Sequence, residues 1–360
     1  MKIAINIPIV GKEEISAVTS ILRNGALTSA ANQGGKHVQA FEKSVTSFVK
    51  SKYAIAVNSG TAALQAALYA LNIKKDDEVL VPSFTFVATA NAIISTGAKP
   101  VFVDILKENY TIDPDDLQKK ITKKTRTIIP VHLYGNVANV ERLSEIAKKH
   151  NLPIIEDSAQ SLGSTYKGKQ TGTFFEMGCY SMYPAKVMTS GEGGFIVTNN
   201  KKLRDKLLMI RNHGMINGYD TRVFGLNLRL PEINAAIATI QMKKLPNFLK
   251  SRKKNAELLS KLISDLKIKL PHQRKNENVN WYLYTIATEK RDKLLKKLNE
   301  KGIGAASYYP IPVHKTPFYK LKTKLPVTVW AALHVVSLPI HPKVTQKNIE
   351  FIAKTMRDIL

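Results

Sequence analysis

Lys186 is a candidate reactive lysine at the junction of two stretches with strand character. It closes the run YSMYPAK at 180–186 and is followed by a glycine-rich turn at 191–194 and a second apolar run at 195–198. Two strands that end at one polar turn place that turn at the rim of a sheet. The lysine is then either exposed or a buried amine. Burial would lower its pKa and free its lone pair for Schiff-base chemistry.

Further candidate side chains come at or just after the ends of other predicted strands. The positions of this kind are Ser59, Gly60, Thr61, Phe86, Asp157, Gln160, Ser181 and Lys186. Ligands of parallel α/β sheets bind at the carboxyl ends of the strands. The shared placement therefore predicts one site at one edge of the sheet, and it is the strongest argument from the residues alone.

A regular alternation of strands and helices must position these residues. Strands are predicted at 53–57, 78–81, 100–104, 126–131, 153–157, 195–198 and 281–286. Helices are predicted at 11–23, 34–50, 62–68, 87–94, 114–120, 139–150, 200–212, 231–264 with a break at Pro246, 290–301, 327–336 and 345–358. This alternation predicts an α/β fold with a mostly parallel central sheet and helices on both faces. We expect a large α/β domain over 1–245 and a smaller α+β domain over 246–360.

Length and composition exclude several protein classes. The 360 residues are 44% apolar, enough for a full core, and no apolar run is long enough to span a bilayer. The N-terminal apolar run is broken by Asn6 and Pro8, unlike a signal peptide. The single cysteine, Cys179, excludes an internal disulfide and a cysteine-based metal cluster. The sequence predicts a cytoplasmic protein without membrane insertion and without a metal site.

The formal net charge of +26 would favour anionic partners. The basic residues are scattered, however, and groups such as those at 252–254 and 293–297 fall in predicted helices with leucines on the opposite face. This pattern is typical of a solvated helix face. No nucleic-acid motif accompanies it, so nucleic-acid binding is not expected.

A reactive lysine needs a carbonyl partner, and pyridoxal 5'-phosphate (PLP) is the simplest organic one for this residue set. Backbone N–H groups of Gly60 and Thr61 at a helix start, with the Ser181 hydroxyl, would hold a phosphate. Asp157 would keep a pyridine nitrogen protonated so that the ring acts as an electron sink, and Phe86 would form a flat wall. Each has a simpler alternative: an ordinary helix cap, a carboxylate that caps a turn, or a core aromatic.

Nearly the whole chain resembles the DegT/DnrJ/EryC1/StrS family of sugar aminotransferases, which are fold-type I PLP enzymes. The resemblance rests on SGTAAL at 59–64, PSFTFVAT at 82–89, PVHLYG at 130–135, EDSAQ at 156–160, SMYPAK at 181–186, GEGG at 191–194 and RNHG at 211–214. It implies that Lys186 holds the cofactor and carries protons and that Asp157 pairs with the pyridine nitrogen.

The same resemblance implies roles for the other cofactor contacts. Gln160 would lie near the ring hydroxyl and Phe86 would stack on the ring. The phosphate would be held by Ser59, Gly60, Thr61 and Ser181. Asn227 is similar to an asparagine that reaches the phosphate from a neighbouring subunit, which implies a homodimer with shared active sites.

The resemblance also implies the reaction. An amino group would pass from an amino acid, with L-glutamate as the expected donor, to a nucleotide-linked keto sugar for glycan or secondary-metabolite biosynthesis. The expected substrate contacts are Tyr183, His213, Tyr308, Tyr309 and His314. The family's usual His-Tyr-Pro is Tyr308-Tyr309-Pro310 here, so the sugar and nucleotide stay open. The GEGG turn resembles the C4-aminating members more than the C3-aminating ones.

Other functions also stay open at this point. One is a non-catalytic regulator that binds PLP or a sugar nucleotide on the same fold, and another is a different PLP enzyme such as a lyase. A desulfurase would need a mobile nucleophilic cysteine, whereas Cys179 falls in a predicted strand. Some family members carry histidine in place of the lysine and are dehydratases, so the presence of Lys186 favours transamination.

Overall fold

The computed structural model describes residues 2–360. Its α-helices are Lys12–Asn24 (α1), Lys36–Val49 (α2), Gly60–Ala70 (α3), Val87–Ile94 (α4), Pro114–Lys119 (α5), Val140–His150 (α6), Lys201–Arg211 (α7), Glu232–Leu262 (α8), Arg291–Glu300 (α9), Pro326–His334 (α10) and Gln346–Ile359 (α11). Its strands are Tyr53–Val57 (β1), Glu78–Pro82 (β2), Lys99–Val103 (β3), Thr125–Ile128 (β4), Ile155–Asp157 (β5), Thr165–Tyr166 (β6), Lys169–Gln170 (β7), Met177–Ser181 (β8), Gly194–Thr198 (β9), Glu277–Asn278 (β10), Tyr284–Ala287 (β11) and Val335–Leu338 (β12).

The central sheet consists of two groups of strands joined edge to edge. One group has the order β1-β9-β8-β5 and the other has the order β3-β2-β4. Parallel bridges Ile128–Ile154 and Val131–Asp157 link the two groups. Strand β9 is antiparallel to both of its neighbours, β1 and β8, and the remaining neighbouring pairs are parallel. The predicted mostly parallel α/β sheet is confirmed.

Apolar residues on both faces of the central strands explain the helices on both sides. In β1, Ile55 and Val57 join the core cluster formed with α3 and α7, whereas Ala54 and Ala56 join the cluster formed with α2 and α8. Successive strand side chains point to opposite faces, so both sides of β1 are buried. This packing holds β1, β5 and β8 with their carboxyl ends at one edge of the sheet.

A second apolar core lies in the C-terminal part of the chain. It is built on the antiparallel pair β11–β12 and on α9 and α11, and it includes Ile3 from the N-terminus. Helix α8 contributes Leu245 to the core of the larger part and Leu259 to this second core. The division at 245/246 stays a prediction, and α8 spans it. Within residues 2–360, no helix combines the length and apolar character needed to cross a membrane.

Several predicted bounds differ from the structure, and three of the differences have a clear physical cause. The break at Pro246 is wrong, because α8 continues through it despite the lost N–H and the crowded carbonyl; burial of Leu245 and Phe248 holds both sides. The predicted strand at 281–286 begins only at Tyr284, because Trp281 has a φ of 54°, outside the strand region. The predicted helix at 327–336 gives way at Val335 to β12, which pairs with β11.

Candidate active site

The loop between β8 and β9 carries Lys186 at the carboxyl edge of the sheet. The Lys186 Nζ lies 4.9 Å from the centroid of the Tyr282 ring. The residue as a whole is half-buried. Burial of its amine lowers the pKa of Lys186 to about 8, and the Asp157 carboxylate opposes this shift. Lys186 is therefore the desolvated amine of the two alternatives, with a larger neutral fraction near pH 7 than an ordinary lysine.

Asp157 ends β5 and is buried behind the lysine. Its Oδ2 accepts a hydrogen bond from Thr89 Oγ1 at 2.9 Å, and its Oδ1 accepts one from the Ala159 N–H at 3.1 Å. Burial raises the pKa of Asp157, whereas these bonds and the charge of Lys186 oppose the rise. A cation bound against this carboxylate would offset the remaining cost of burying its negative charge.

A buried histidine–carboxylate pair lies directly behind Asp157. The His132 Nδ1 accepts the Ala138 N–H at 3.0 Å, so its Nε2 carries the proton and donates to Glu156 at 2.9 Å. Glu156 also accepts backbone N–H groups of Gly172, Phe174 and Phe175. Since the His132 N–H bonds to the Asp157 carbonyl at 3.0 Å, this network holds the end of β5.

A cradle of small residues forms where β1 meets α3. Ser59 caps α3 by accepting the Ala62 N–H at 3.0 Å. A Cβ on Gly60 would lie 2.7 Å from the Ser181 Cβ, so the glycine permits the close approach of α3 to the end of β8. The first N–H groups of a helix point out of such a cradle and attract an anion. The register Asp157–Cys179 puts Ser181 two residues beyond Asp157 on the neighbouring strand.

Aromatic rings form one wall of the same edge. Phe86 caps α4 and is 55% exposed, which is unusual for a large apolar side chain beside the core. Its ring centroid lies 6.1 Å from that of Tyr309. The Tyr309 hydroxyl accepts a hydrogen bond from Gln160 Nε2 at 3.0 Å, and Gln160 Oε1 accepts the Tyr134 N–H at 2.8 Å. Burial raises the pKa of Tyr309 well above its ordinary value, so its hydroxyl stays protonated.

The predicted substrate contacts divide between exposed and buried positions. Tyr183 is 50% exposed beside Lys186, and Tyr308 packs against Tyr309 at 6.0 Å between ring centroids. His213 is exposed, with a left-handed φ of 57° after α7. His314 is fully buried, with its Nδ1 2.6 Å from the Ser83 hydroxyl, so it presents no surface to a ligand in this conformation.

Asn227 lies at the surface, at the rim of the site and not inside it. Its carbonyl accepts a hydrogen bond from Asn58 Nδ2 at 3.2 Å, next to the Ser59 cap. The residue is exposed, as are the large side chains Phe224 and Tyr219 earlier in the same segment after α7. The structure thus brings together Lys186, Asp157, Gln160, Phe86, Tyr309 and the Gly60–Ser181 cradle, with Asn227 and His213 on the outer surface.

Sequence reasoning did not find Tyr282, Thr89 and His132. Thr89 is on α4 inside the quoted 82–89 motif, and His132 is inside the 130–135 motif, so both carried a signal. Tyr282 lies far along the chain from Lys186 and inside the predicted strand 281–286, where an aromatic ring is typical of the core.

Comparison with known proteins identifies the family of the chain. The sequence profile of the DegT/DnrJ/EryC1/StrS aminotransferase family matches residues 8–357. The chain belongs to this family. The resemblance inferred from the motifs is confirmed over nearly the whole chain.

Two relatives of the DegT/DnrJ/EryC1/StrS family show the range of names attached to similar chains. A transaminase of Streptomyces venezuelae, named for dTDP-3-amino-3,4,6-trideoxy-alpha-D-glucose, is 38% identical over 336 residues, which are 92% of this chain and 89% of the relative. The "Pleiotropic regulatory protein" of Geobacillus stearothermophilus is 36% identical over 333 residues, which are 90% of this chain and 89% of the relative.

A solved structure places the fold among PLP-dependent aminotransferases. Spr1654 of Streptococcus pneumoniae, named as a sugar aminotransferase and solved in its PLP form, superimposes with a TM-score of 0.93 at 26% identity, covering 100% of this chain and 98% of that chain. The predicted fold class is therefore confirmed.

Proposed function

We propose that this protein is a PLP-dependent aminotransferase that moves an amino group from an amino acid, with L-glutamate as donor, to a nucleotide-linked keto sugar. The observation that carries the proposal is the convergence of a desolvated amine on Lys186, a buried carboxylate on Asp157 and the Gly60–Ser181 cradle at one sheet edge. The transaminase relative, named for a dTDP sugar, supports the acceptor class.

The residues at this edge fit PLP part by part. The start of α3 and the Ser181 hydroxyl suit a phosphate, the exposed face of Phe86 suits a flat ring, and Asp157 suits a protonated ring nitrogen. Bound there, the cofactor would supply an electron sink for the carbanion of the amino donor. Gln160, fixed by Tyr134 and Tyr309, is placed to orient the ring edge.

The side chains of the chain itself would do the proton handling. Lys186, with its lowered pKa, can take a proton from one substrate carbon and return it to another. Asp157 would hold the proton on the ring nitrogen through the reaction. Tyr183, Tyr308, Tyr309 and His213 are the proposed acceptor contacts, and buried His314 supports the loop of Tyr308 and Tyr309 through Ser83.

Gly60→Ala should weaken PLP binding about tenfold, because overpacking typically costs about 1–3 kcal/mol. The added Cβ would meet the Ser181 Cβ at 2.7 Å and open the cradle. The matched control is Gly11→Ala at the start of α1, where the nearest atom lies 3.8 Å away. Titration of the cofactor-free proteins with PLP measures the effect. Equal affinity for both variants would show that the cradle is not the phosphate site.

The homodimer with shared sites is also part of the proposal. Exposed Asn227, Phe224 and Tyr219 lie where a partner subunit could cover them. If Asn227 completes the phosphate site of the partner subunit, the Lys186→Ala and Asn227→Asp variants should each have low activity alone. After subunit exchange, each heterodimer has one intact site, so an equal mixture should recover about a quarter of wild-type activity. No recovery, with exchange confirmed by native mass spectrometry, would assign Asn227 to its own chain.

A regulatory function is the second candidate, and the name of one relative, a regulatory protein, supports it. A screen of dTDP-, UDP- and GDP-linked keto sugars with L-glutamate separates the two functions, since only an enzyme forms an amino sugar. Failure of every acceptor, while L-glutamate and PLP bind, would favour the regulator. We further propose that the protein acts in the cytoplasm and divides into domains at 245/246.

A further inference from the structure

The face of the Tyr282 ring lies against the reactive amine. Its centroid is 4.9 Å from the Lys186 Nζ, within the range at which an ammonium is attracted to the face of an aromatic ring. Tyr282 comes from the segment between β10 and β11, and not from the sheet edge that carries Lys186 and Asp157. A distant part of the chain thus supplies the surface on which the lysine rests.

A buried asparagine fixes the backbone of this segment to the sheet edge. Asn280 Oδ1 accepts the Tyr282 N–H at 2.9 Å, and Asn280 Nδ2 donates to the carbonyls of Gln160 and Leu162, each at 3.0 Å. Asn280 is 2% exposed. Because Gln160 is also a ring-orienting residue of the site, Asn280 sets the distance between that residue and Tyr282.

A buried arginine ties the same segment to the lysine loop. Arg252 Nη1 donates to the carbonyls of Trp281 at 3.3 Å and Tyr282 at 3.1 Å, and its Nη2 donates to Asn6 Oδ1 at 2.9 Å. Asn6 Nδ2 in turn donates to the Pro184 carbonyl at 3.2 Å, two residues before Lys186. One guanidinium therefore holds both the aromatic surface and the loop that carries the amine.

The residue between Asn280 and Tyr282 has a disfavoured backbone conformation. Trp281 has a φ of 54°, in the left-handed region that a bulky side chain rarely adopts. Such a conformation persists where the surroundings over-determine it. Here the hydrogen bonds of Asn280 and Arg252 on both sides do so, and the reversed backbone directs Tyr282 toward Lys186.

We propose that Tyr282 is a further catalytic residue, whose ring face positions the Lys186 amine and stabilises its protonated form, and that Asn280 and Arg252 are positioning residues that act through it. The proposal rests on the proposed function only in taking Lys186 as the reactive amine. When Lys186 Nζ accepts a proton from the substrate carbon, the new positive charge lies over the ring, and no covalent bond to Tyr282 forms or breaks.

Ionisable groups face the amine and the Tyr282 ring from several elements, including the Tyr308 and Tyr309 phenols. Asp157 favours the ammonium from the sheet side. Behind Tyr282 lies the Arg252 guanidinium, and the Tyr183 phenol is near the same ring. Burial raises the pKa of Tyr282 to about 12, so its ring stays neutral across the working range. The ring face, and not a phenolate charge, is therefore the feature under test.

The test measures the pKa of Lys186 in the cofactor-free, full-length protein. Competitive acylation of amines at a series of pH values, followed by peptide mass spectrometry, reports the reactivity of Lys186 without cofactor or substrate. Tyr282→Leu should lower this pKa by about 0.5–1 unit, from the usual strength of a partly desolvated cation–π contact. Tyr282→Phe keeps the ring and should leave it unchanged. The control is Tyr166→Leu, which removes the ring beside exposed Lys167 and should leave the pKa of Lys186 unchanged.

The PLP-loaded variants provide the second readout. Tyr282→Leu should lower kcat about three- to tenfold with little change in the KM for the donor, and Tyr282→Phe should stay near wild type. If Tyr282→Leu does not fold, Tyr282→Met keeps the volume without the ring and makes the same prediction. An unchanged Lys186 pKa in the folded non-aromatic variant, or an equal fall in Tyr282→Phe, would overturn the proposal. Because the acylation needs no turnover, either result is distinct from failure of the proposed function.

Discussion

Lys186→Ala is expected to lower kcat by at least about a thousandfold, within the range attributed to general acid–base catalysis. The variant removes the amine that can move a proton, and no water can take the same place on the Tyr282 face with the same basicity. The fold should persist, because the amine lies at the sheet edge and makes no hydrogen bond within the described residues 2–360. Steady-state rates and the thermal unfolding midpoint check both expectations.

The matched control for this lysine is Lys206→Ala on α7. Burial also lowers the pKa of Lys206, and its Nζ donates to the Ala70 carbonyl at 2.9 Å, away from the sheet edge. Its removal should leave kcat within about twofold of wild type, since substitutions away from the site usually have small effects on turnover. Near-wild-type turnover in Lys186→Ala, or an equal loss in Lys206→Ala, would contradict the role of Lys186.

Asp157→Asn should lower kcat by at least about tenfold, equivalent to about 1.4 kcal/mol in the barrier. A neutral amide cannot hold a proton on the ring nitrogen, so the electron sink is weakened. The substitution keeps the shape of the side chain, and Thr89 can direct its hydroxyl to the Phe86 carbonyl at 3.1 Å instead. A smaller loss of kcat would give Asp157 another role.

The same variant has a second, opposite effect on the cofactor-free protein. Burial raises the pKa of Asp157 above its ordinary value of 3.8, so the folded state binds more protons than the unfolded state between the two values. Stability therefore falls as pH rises through that window and stays lower above it. Asp157→Asn removes the penalty, so its cofactor-free unfolding midpoint at pH 7 should equal or exceed that of wild type.

The sheet and its edge could be predicted from local patterns. Apolar runs such as 53–57 followed by small or polar residues mark buried strands and the turns after them, and parallel pairing brings those turns together. The sequence therefore predicts Lys186, Asp157 and Gly60 at one edge of the sheet. Cys179 was likewise expected in a strand, and it lies buried in β8.

The surface beneath the lysine could not be predicted in this way. Tyr282 reaches the site through a left-handed Trp281 and through buried hydrogen bonds of Arg252 and Asn280, none of which leaves a periodic signal. The continuity of α8 through Pro246 has a similar origin, because tertiary burial outweighs the local preference of proline. Long-range contacts of this kind appear only in the folded chain.

The most direct measurement is a single-turnover reaction of the PLP-loaded protein with L-glutamate in the absence of any sugar. An aminotransferase works by a ping-pong scheme, so the donor half of the reaction runs alone. We expect about one equivalent of 2-oxoglutarate per active site from wild type and none from Lys186→Ala. Tight binding of L-glutamate without release of 2-oxoglutarate would contradict the assignment of Lys186 and Asp157 as an aminotransferase site.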